Sequence, residues 1–295
     1  MENDRMRELA ILVNTRDRPS EVALLLSSLY TQTYQDFDVY ILDDNGGTSL
    51  NNYHFFNCML GLFLNKGIKV YVNKSSFQLG VSKARQTIVD WALKKPYTYL
   101  ARVDDDVILE PDFIERLVNV IKVNGYDLAS GVTPPLQVPT FIRNPKYIGE
   151  IVNRVIIDKD GKYVFNGDDC GMAYTDSVIL PAHHFRSSAL YKAEIHKKVN
   201  YTPTRLSKHG FREEQIFSYK LQMEGYKLGV DTGAIAWHQM TPSGGERFPT
   251  QNQDVVFNEQ ILKEFTIEHK DKLRELFPEI PLTKQELMRE TNLIR

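Results

Sequence analysis

Tyr99-Leu100-Ala101-Arg102-Val103-Asp104-Asp105-Asp106-Val107-Ile108-Leu109-Glu110-Pro111 sets three consecutive aspartates between an apolar run and the proline that opens a helix. Adjacent carboxylates repel one another, so a bare cluster at a strand end is electrostatically unfavourable. A hard divalent cation with phosphate ligands would relieve the repulsion. Strand alternation predicts Asp104 and Asp106 on one side and Asp105 on the other, a pair able to share one metal with a third carboxylate left over. By themselves the same residues also describe a solvated acidic turn before a helix.

Outward from this stretch, apolar runs and helical periodicities alternate. Residues 9–13, 37–42, 68–72 and 97–103 are short apolar runs that predict buried strands. Between them, Pro19 and Ser20 open a helix bearing Val22, Leu25, Leu26 and Leu29, a second helix carries Phe55, Phe56, Met59, Leu60 and Phe63, and a third covers residues 81–93. A helix at 111–123 and a short strand at 126–129 follow. This alternation predicts an α/β fold, a mostly parallel sheet with helices on both faces, whose ligands bind beyond the carboxyl ends of the strands. Three of those ends are polar, namely Asn14-Thr15-Arg16-Asp17-Arg18, Asp43-Asp44-Asn45 and the three aspartates, and the architecture brings them to one rim.

The second half is less regular. Pro134, Pro135, Pro139 and Pro145 mark a loop-rich stretch, and residues 152–157 and 162–165, joined through Asp158-Lys159-Asp160-Gly161, predict a hairpin. A helix is expected at 212–224, stopped by Gly225, then short strands at 228–230 and 234–237 leading to His238. Amphipathic helices are predicted at 254–277 and 283–293. The second half is expected to complete one active site with the first.

Composition narrows the class. A chain of 295 residues with 42% apolar and 25% charged content is ordinary for a globular protein. No run approaches the ~18 apolar residues of a membrane span. The polar start Met1-Glu2-Asn3-Asp4-Arg5 lacks a signal-peptide core, and Cys58 and Cys170 have neither metal-ligand nor redox spacing. The expectation is a cytoplasmic protein with reduced thiols and no transmembrane segment. The net charge of −2 hides a basic segment: residues 183–212 hold seven Lys or Arg against the single acid Glu194, a balance of +6 that leaves −8 elsewhere. His183, His184, His196 and His209 lie there too. Such a run is either a solvated face or a surface for an anionic partner.

In order along the chain, these motifs resemble the inverting, GT-A-fold glycosyltransferases of family 2, over roughly residues 9–238. Thr15-Arg16-Asp17-Arg18 and Gln32-Thr33-Tyr34 match the ends of the family's first strand and first helix, and Asp43-Asp44-Asn45 matches its Asp-Asp turn. Asn73, Gly80, Ala84 and Arg85 match the next signature, and Asp104-Asp105-Asp106 matches the Asp-X-Asp motif. The resemblance implies a GT-A, Rossmann-like sheet with a nucleotide-sugar-binding half at 1–130, an acceptor and catalytic half at 131–245 and a C-terminal helical extension at 246–295. It implies metal-dependent transfer of a sugar, with inversion, from a nucleoside diphosphate sugar (UDP first, then GDP or TDP) to an acceptor hydroxyl.

The resemblance also implies residue roles. Asn14, Thr15, Arg16, Asp43, Asp44, Asn73, Arg85, Asp104 and Asp105 would hold the donor, with base contact at Asp43 and phosphate contact at Arg85, since guanidinium suits phosphate oxygens. Asp106, Asp104 and His238 would hold Mn2+ or Mg2+, bridging the diphosphate and stabilising the leaving group. The acidic pair Glu213-Glu214 would supply the base. The pattern behind the pair aligns Glu214 with that role, although a Glu stands where the family usually has Asp, and helical periodicity does not choose between the two. Plainer readings stand beside these: a solvated turn for Asp43 and Asp44, an exposed helix arginine for Arg85, first-turn acids favoured by the helix dipole for the Glu pair, and a structural His238. The basic segment is expected to face the acceptor, a phosphate-bearing polymer, a lipid-linked phosphate or nucleic acid. Two alternatives are a nucleotidyltransferase acting on sugar phosphates and a non-catalytic nucleotide-sugar-binding protein of the same fold. The first usually carries a Gly-rich phosphate loop, and no glycine occurs between Asn14 and Pro19. The second is disfavoured by the metal and base candidates.

Overall fold

The computed structural model describes residues 6–137, 141–142, 151–165, 170–201, 206, 208–241 and 251–278. The helix expected at 283–293, together with Pro139, Pro145 and Arg205, lies outside the described residues. The first half runs β1 (Leu9–Thr15), α1 (Pro19–Tyr30), β2 (Phe37–Asp43), α2 (His54–Asn65), β3 (Val70–Lys74), α3 (Val81–Ala92), β4 (Tyr99–Asp104), β5 (Val107–Leu109), α4 (Phe113–Lys122) and β6 (Leu128–Val132). The second half adds β7 (Phe141–Ile142), β8 (Val155–Ile157), β9 (Tyr163–Phe165), β10 (Ala173–Tyr174), β11 (Ile179–Pro181), β12 (Ala189–Lys192), α5 (Glu213–Met223), β13 (Leu228–His238), α6 (Gln251–Glu268) and α7 (Lys270–Leu276).

The main sheet has the order β3-β2-β1-β4-β12-β6-β13-β11, with β5 paired to β13. β1 to β4 are parallel, and so are β6 and β13, but β12 lies antiparallel between β4 and β6, and β11 and β5 lie antiparallel to β13. The sheet is therefore mixed, and its antiparallel strands, apart from β5, come from the irregular half. β12 is four residues long inside the basic segment and has no periodicity to announce it. β13 is one strand, not two: its register shifts between Val230 and Ile235, a bulge that reads in sequence as a break at Gly233. β8 and β9 form the expected hairpin.

Side chains alternate faithfully on β1. Leu9, Ile11 and Val13 enter a core with α1, α2 and α4, and Ala10 and Leu12 enter a core with α3 and α5. A strand covered on both faces needs a continuous apolar run. α6, α7 and the hairpin pack on the outer side of α5, where Ile216 and Tyr219 meet Leu262, Phe265, Leu273, Phe277 and Val155. The strand order reverses between β1 and β4, and that reversal opens the crevice in which open α/β sheets bind ligands. The register puts Asn14 opposite Asp104 and Thr15 opposite Asp43 at the carboxyl ends.

The basic segment does not form one face. β12 runs antiparallel to β4 and carries the chain away from the aspartates, so Lys192 lies opposite Tyr99 and pairs with Asp127 at 2.7 Å. Lys197 and Lys198 follow at that far end, with Lys198 3.8 Å from Glu224. Among the described residues of the segment, Tyr191, Tyr201 and the stretch from His209 to Phe211 reach the cleft. Two of its histidines are core residues: His196 packs against Tyr201 and Phe217, and His183 stacks on Phe277 at 4.2 Å and accepts the Val155 N–H at 2.9 Å. Burial pushes both imidazoles down to about 4.

A histidine held neutral below its unfolded value loses stabilisation as pH falls, because the unfolded chain binds the proton first. The thermal midpoint is therefore expected to carry a His-dependent loss between pH 6.5 and 4, of about 3 kcal/mol per histidine at most. Comparing wild type with His196→Phe isolates this part. Identical pH profiles for the two would show that His196 is not held neutral.

Candidate active site

The carboxyl ends of β1 and β4, the start of α5 and the end of β13 enclose a cleft of about 320 Å³, the size of a small-molecule site. Each wall has a sequence reason. β4 ends at Asp104, and Asp105 and Asp106 form a turn into β5. Strand alternation stops there, so the expected pairing of Asp104 with Asp106 gives way to separate partners. β5 then pairs with the end of β13, His238 opposite Val107, which sets the histidine beside Asp106. Gln239 N–H donates to the Asp106 carbonyl at 2.8 Å and closes that corner.

The buried Arg102 and the partly buried Arg85 face the acids. Arg102, in the middle of an otherwise apolar strand, lies 2.8 Å from both Glu213 Oε1 and Glu214 Oε1 and 3.7 Å from Asp104 Oδ1. Arg85 donates to Asp104 Oδ1 at 3.1 Å and lies 2.9 Å from Glu213 Oε1. Burial opposes the charge on Arg102, but the fields of Glu213, Glu214 and Asp104 prevail and raise its pKa. Burial pushes the Glu213 carboxyl up, against the pull of Arg102 and helped by Glu214 and Asp104. The two acids are not equivalent: the Glu213 side chain is 2% exposed and locked between both guanidiniums, whereas Glu214 is 21% exposed toward the cleft.

On the other side, Asp105 accepts Thr15 Oγ1 at 2.7 Å and Arg18 Nη1 at 2.9 Å, and burial pushes its carboxyl up to about 7. Asp105 thus ties β1 to β4. Arg18 also reaches Asp106 Oδ2 at 3.1 Å, and Asp106 Oδ1 lies 3.2 Å from His238 Nε2. Asp106 and His238 converge, while Asp104 is turned to the arginines. Among the described residues, no three His, Cys, Asp or Glu side chains gather as a metal-binding group.

The remaining predicted residues divide between cleft and frame. Arg16 lines the cleft, and neither polar atom of the buried Asn14 carboxamide has a hydrogen-bond partner. Asp44 lines it too, but its oxygens accept Leu79 N–H at 2.6 Å and Gly80 N–H at 2.9 Å, holding the loop before α3. Asp43 accepts Gly46 N–H at 2.8 Å in the β2 turn, and burial raises its pKa. Asn73 is exposed near the end of β3, opposite Leu42. Gln32 is framework: its amide donates to the Glu110 carbonyl at 2.8 Å and accepts Ile114 N–H at 3.0 Å, so it anchors the chain beyond the aspartate turn. Gly80, at φ +81°, lies so near the following loop that a Cβ would stand 2.8 Å from Lys208 Cα, and a Cβ on Gly210 would stand 2.6 Å from Val81 Cβ. Val81 N–H donates to the Lys208 carbonyl at 2.9 Å across this contact. Arg102 and Arg18 carry as much of the site as any predicted residue. The signal for Arg102 was a charge inside a strand buried on both faces, which demands a partner acid.

The family model for glycosyl transferase family 2 matches residues 10–180. The crystal structure of S. aureus TarS superposes at a TM-score of 0.54 and 14% identity, covering 91% of this chain and 42% of that one. GalNAc-T7 with UDP, GalNAc and Mn2+ superposes at 0.61 and 14% identity, covering 92% and 55%. S. aureus TarS 1-349 in complex with UDP-GlcNAc superposes at 0.53 and 13% identity, covering 91% and 73%. The chain spans about half the length of the first two. The likeness is one of fold, the GT-A arrangement. No curated protein matches the sequence. None of the described helices is long and apolar enough to cross a membrane.

Removing Arg102 leaves Glu213 and Glu214 short of a cation in a dry site, a change that ordinarily costs 3–5 kcal/mol. Arg102→Leu is expected to lose about 3 kcal/mol or more in urea unfolding, and Arg102→Leu with Glu213→Leu to recover part of it. A single variant as stable as wild type would show that Arg102 does not hold the acids.

Proposed function

The chain belongs to glycosyl transferase family 2, and from that premise we propose that it moves a sugar, with inversion and with a divalent metal, from UDP to an acceptor hydroxyl. The observation that carries the reading is the meeting of an acid pair, an Asp–His pair and Arg85 in one cleft at the strand-order reversal. The solved complexes of TarS with UDP-GlcNAc and of GalNAc-T7 with UDP and Mn2+ support a UDP donor and a metal here.

The residues fit such a metal. Asp106 Oδ1 and His238 Nε2, 3.2 Å apart, have the separation of two ligands on one ion, and donor oxygens would complete the shell. Arg18, at the other Asp106 oxygen, keeps that carboxylate oriented. A bound Mn2+ or Mg2+ would offset charge on the leaving diphosphate. Arg85 would exchange part of its contact with Asp104 for phosphate oxygens, freeing Asp104 for the sugar or ribose. The unpartnered Asn14 amide would bind the polar edge of the nucleotide, with Thr15, Arg16, Asp43 and Asp44 shaping that end and Asn73 near its border. Glu214 would be the base: Arg102 fixes Oε1, and Oε2 would take the acceptor proton as the hydroxyl oxygen attacks the anomeric carbon in line with the diphosphate. Glu213 would hold Arg85 and Arg102 in place. For an anionic acceptor, a cation among the described residues is Lys208, exposed beside the cleft-lining His209 and Phe211.

The test is a screen of UDP-sugars with and without Mn2+. Asp106→Ala should lose Mn2+-dependent UDP binding, while Glu214→Gln keeps UDP binding and loses about 100-fold or more in turnover. Equal turnover in all three proteins would reject the mechanism. A second measurement compares the salt dependence of turnover with an anionic acceptor: Lys208→Glu should flatten it, and Lys197→Glu with Lys198→Glu should not. The reverse pattern would move the acceptor to the far end of the sheet.

A further inference from the structure

The acid pair begins α5, and what starts that helix is unusual. Arg212, the residue before Glu213, has φ +75°, a left-handed conformation disfavoured for any residue with a Cβ; its carbonyl accepts the Ile216 N–H at 3.2 Å, but its side chain makes no capping hydrogen bond to the helix. Its side chain turns outward instead. Arg212 Nε donates to Glu259 Oε1 on α6 at 2.7 Å, and its guanidinium covers the Phe211 ring at 4.4 Å. The other Glu259 oxygen accepts the Tyr163 hydroxyl from β9. Apolar packing of Ile216 and Tyr219 on α6 and α7 fixes where the body of α5 lies. The turn in front of it is closed by the Glu213 N–H bond to the Gly210 carbonyl at 3.0 Å, and the Arg212 side chain ties it to α6. α5 and α6 both lie beyond the 10–180 region matched by the family model.

We propose that Glu259 is a positioning residue for the acid pair: it clamps Arg212 in the left-handed conformation from which α5 begins, and so aims Glu214 into the cleft. The inference rests on the reading of Glu214 as the base. It makes α6 part of the working site, although none of the described side chains of α6 lines the cleft.

Two readouts on the full chain test it. In Glu259→Gln, amide exchange in the first turn of α5, at residues 213–217, is expected to quicken about tenfold. Turnover of UDP-sugar should fall about tenfold in kcat with KM for the donor within about twofold, the mark of a group misplaced after binding. Glu259→Asp keeps the charge and should fall between. Adding Arg212→Gly to Glu259→Gln should restore slow exchange and most of kcat, because glycine holds a positive φ without a clamp. Wild-type exchange rates in Glu259→Gln, or no recovery with glycine, would overturn the proposal. If wild type turns over no UDP-sugar, the proposed function fails, while the exchange rates still decide whether Glu259 sets the turn.

Discussion

Mutual repulsion among carboxylates is the constraint around which this molecule is arranged. Asp104, Asp105, Asp106, Glu213 and Glu214 converge from segments about a hundred residues apart, and most are buried. Such a set is tolerable only if each acid meets a cation. Arg18, Arg85 and Arg102 supply three, from the start of α1, from α3 and from the centre of β4. Because Arg102 sits inside the sheet, the acids that neutralise it must come to the sheet. That requirement brings the first turn of α5 onto β4 and makes the second half of the chain inseparable from the first.

The rim was legible because strand ends are local events. An apolar run that stops at a polar cluster marks both the strand and its mouth, and Asn14, Asp43 and Asp104 follow from that alone. What stayed hidden is non-local or irregular. β12 has too few residues for a period, and its direction, which decides that Lys197 and Lys198 face away from the cleft, appears only in the pairing. The alternation argument for Asp104 and Asp106 failed because a turn intervenes. Arg102 was in plain view, but its partners lie beyond residue 210. The difference between Glu213, enclosed by two arginines, and the more open Glu214 likewise depends on partners remote in sequence.

Residues within one family motif do different physical work here. Gln32 and Asp44 satisfy backbone groups of loops remote in sequence and hold those loops at the rim. Thr15 donates to Asp105 and fixes two adjacent strands. Asn14, Arg85 and Glu214 line the cleft itself. A motif match therefore locates a site more securely than it assigns a ligand to each letter.

The contact between Gly80 and Lys208, with Gly210 against Val81, joins the loop that leads into α3 to the loop that leads into α5. The two backbones share a hydrogen bond and leave no room for a methyl group at either glycine. Mutational tolerance at these positions is therefore a joint property. A side chain added to one loop displaces the other, and with it whichever of Arg85 or Glu213 that loop carries into place. Two glycines distant in sequence thus act as a single spacer between the loops.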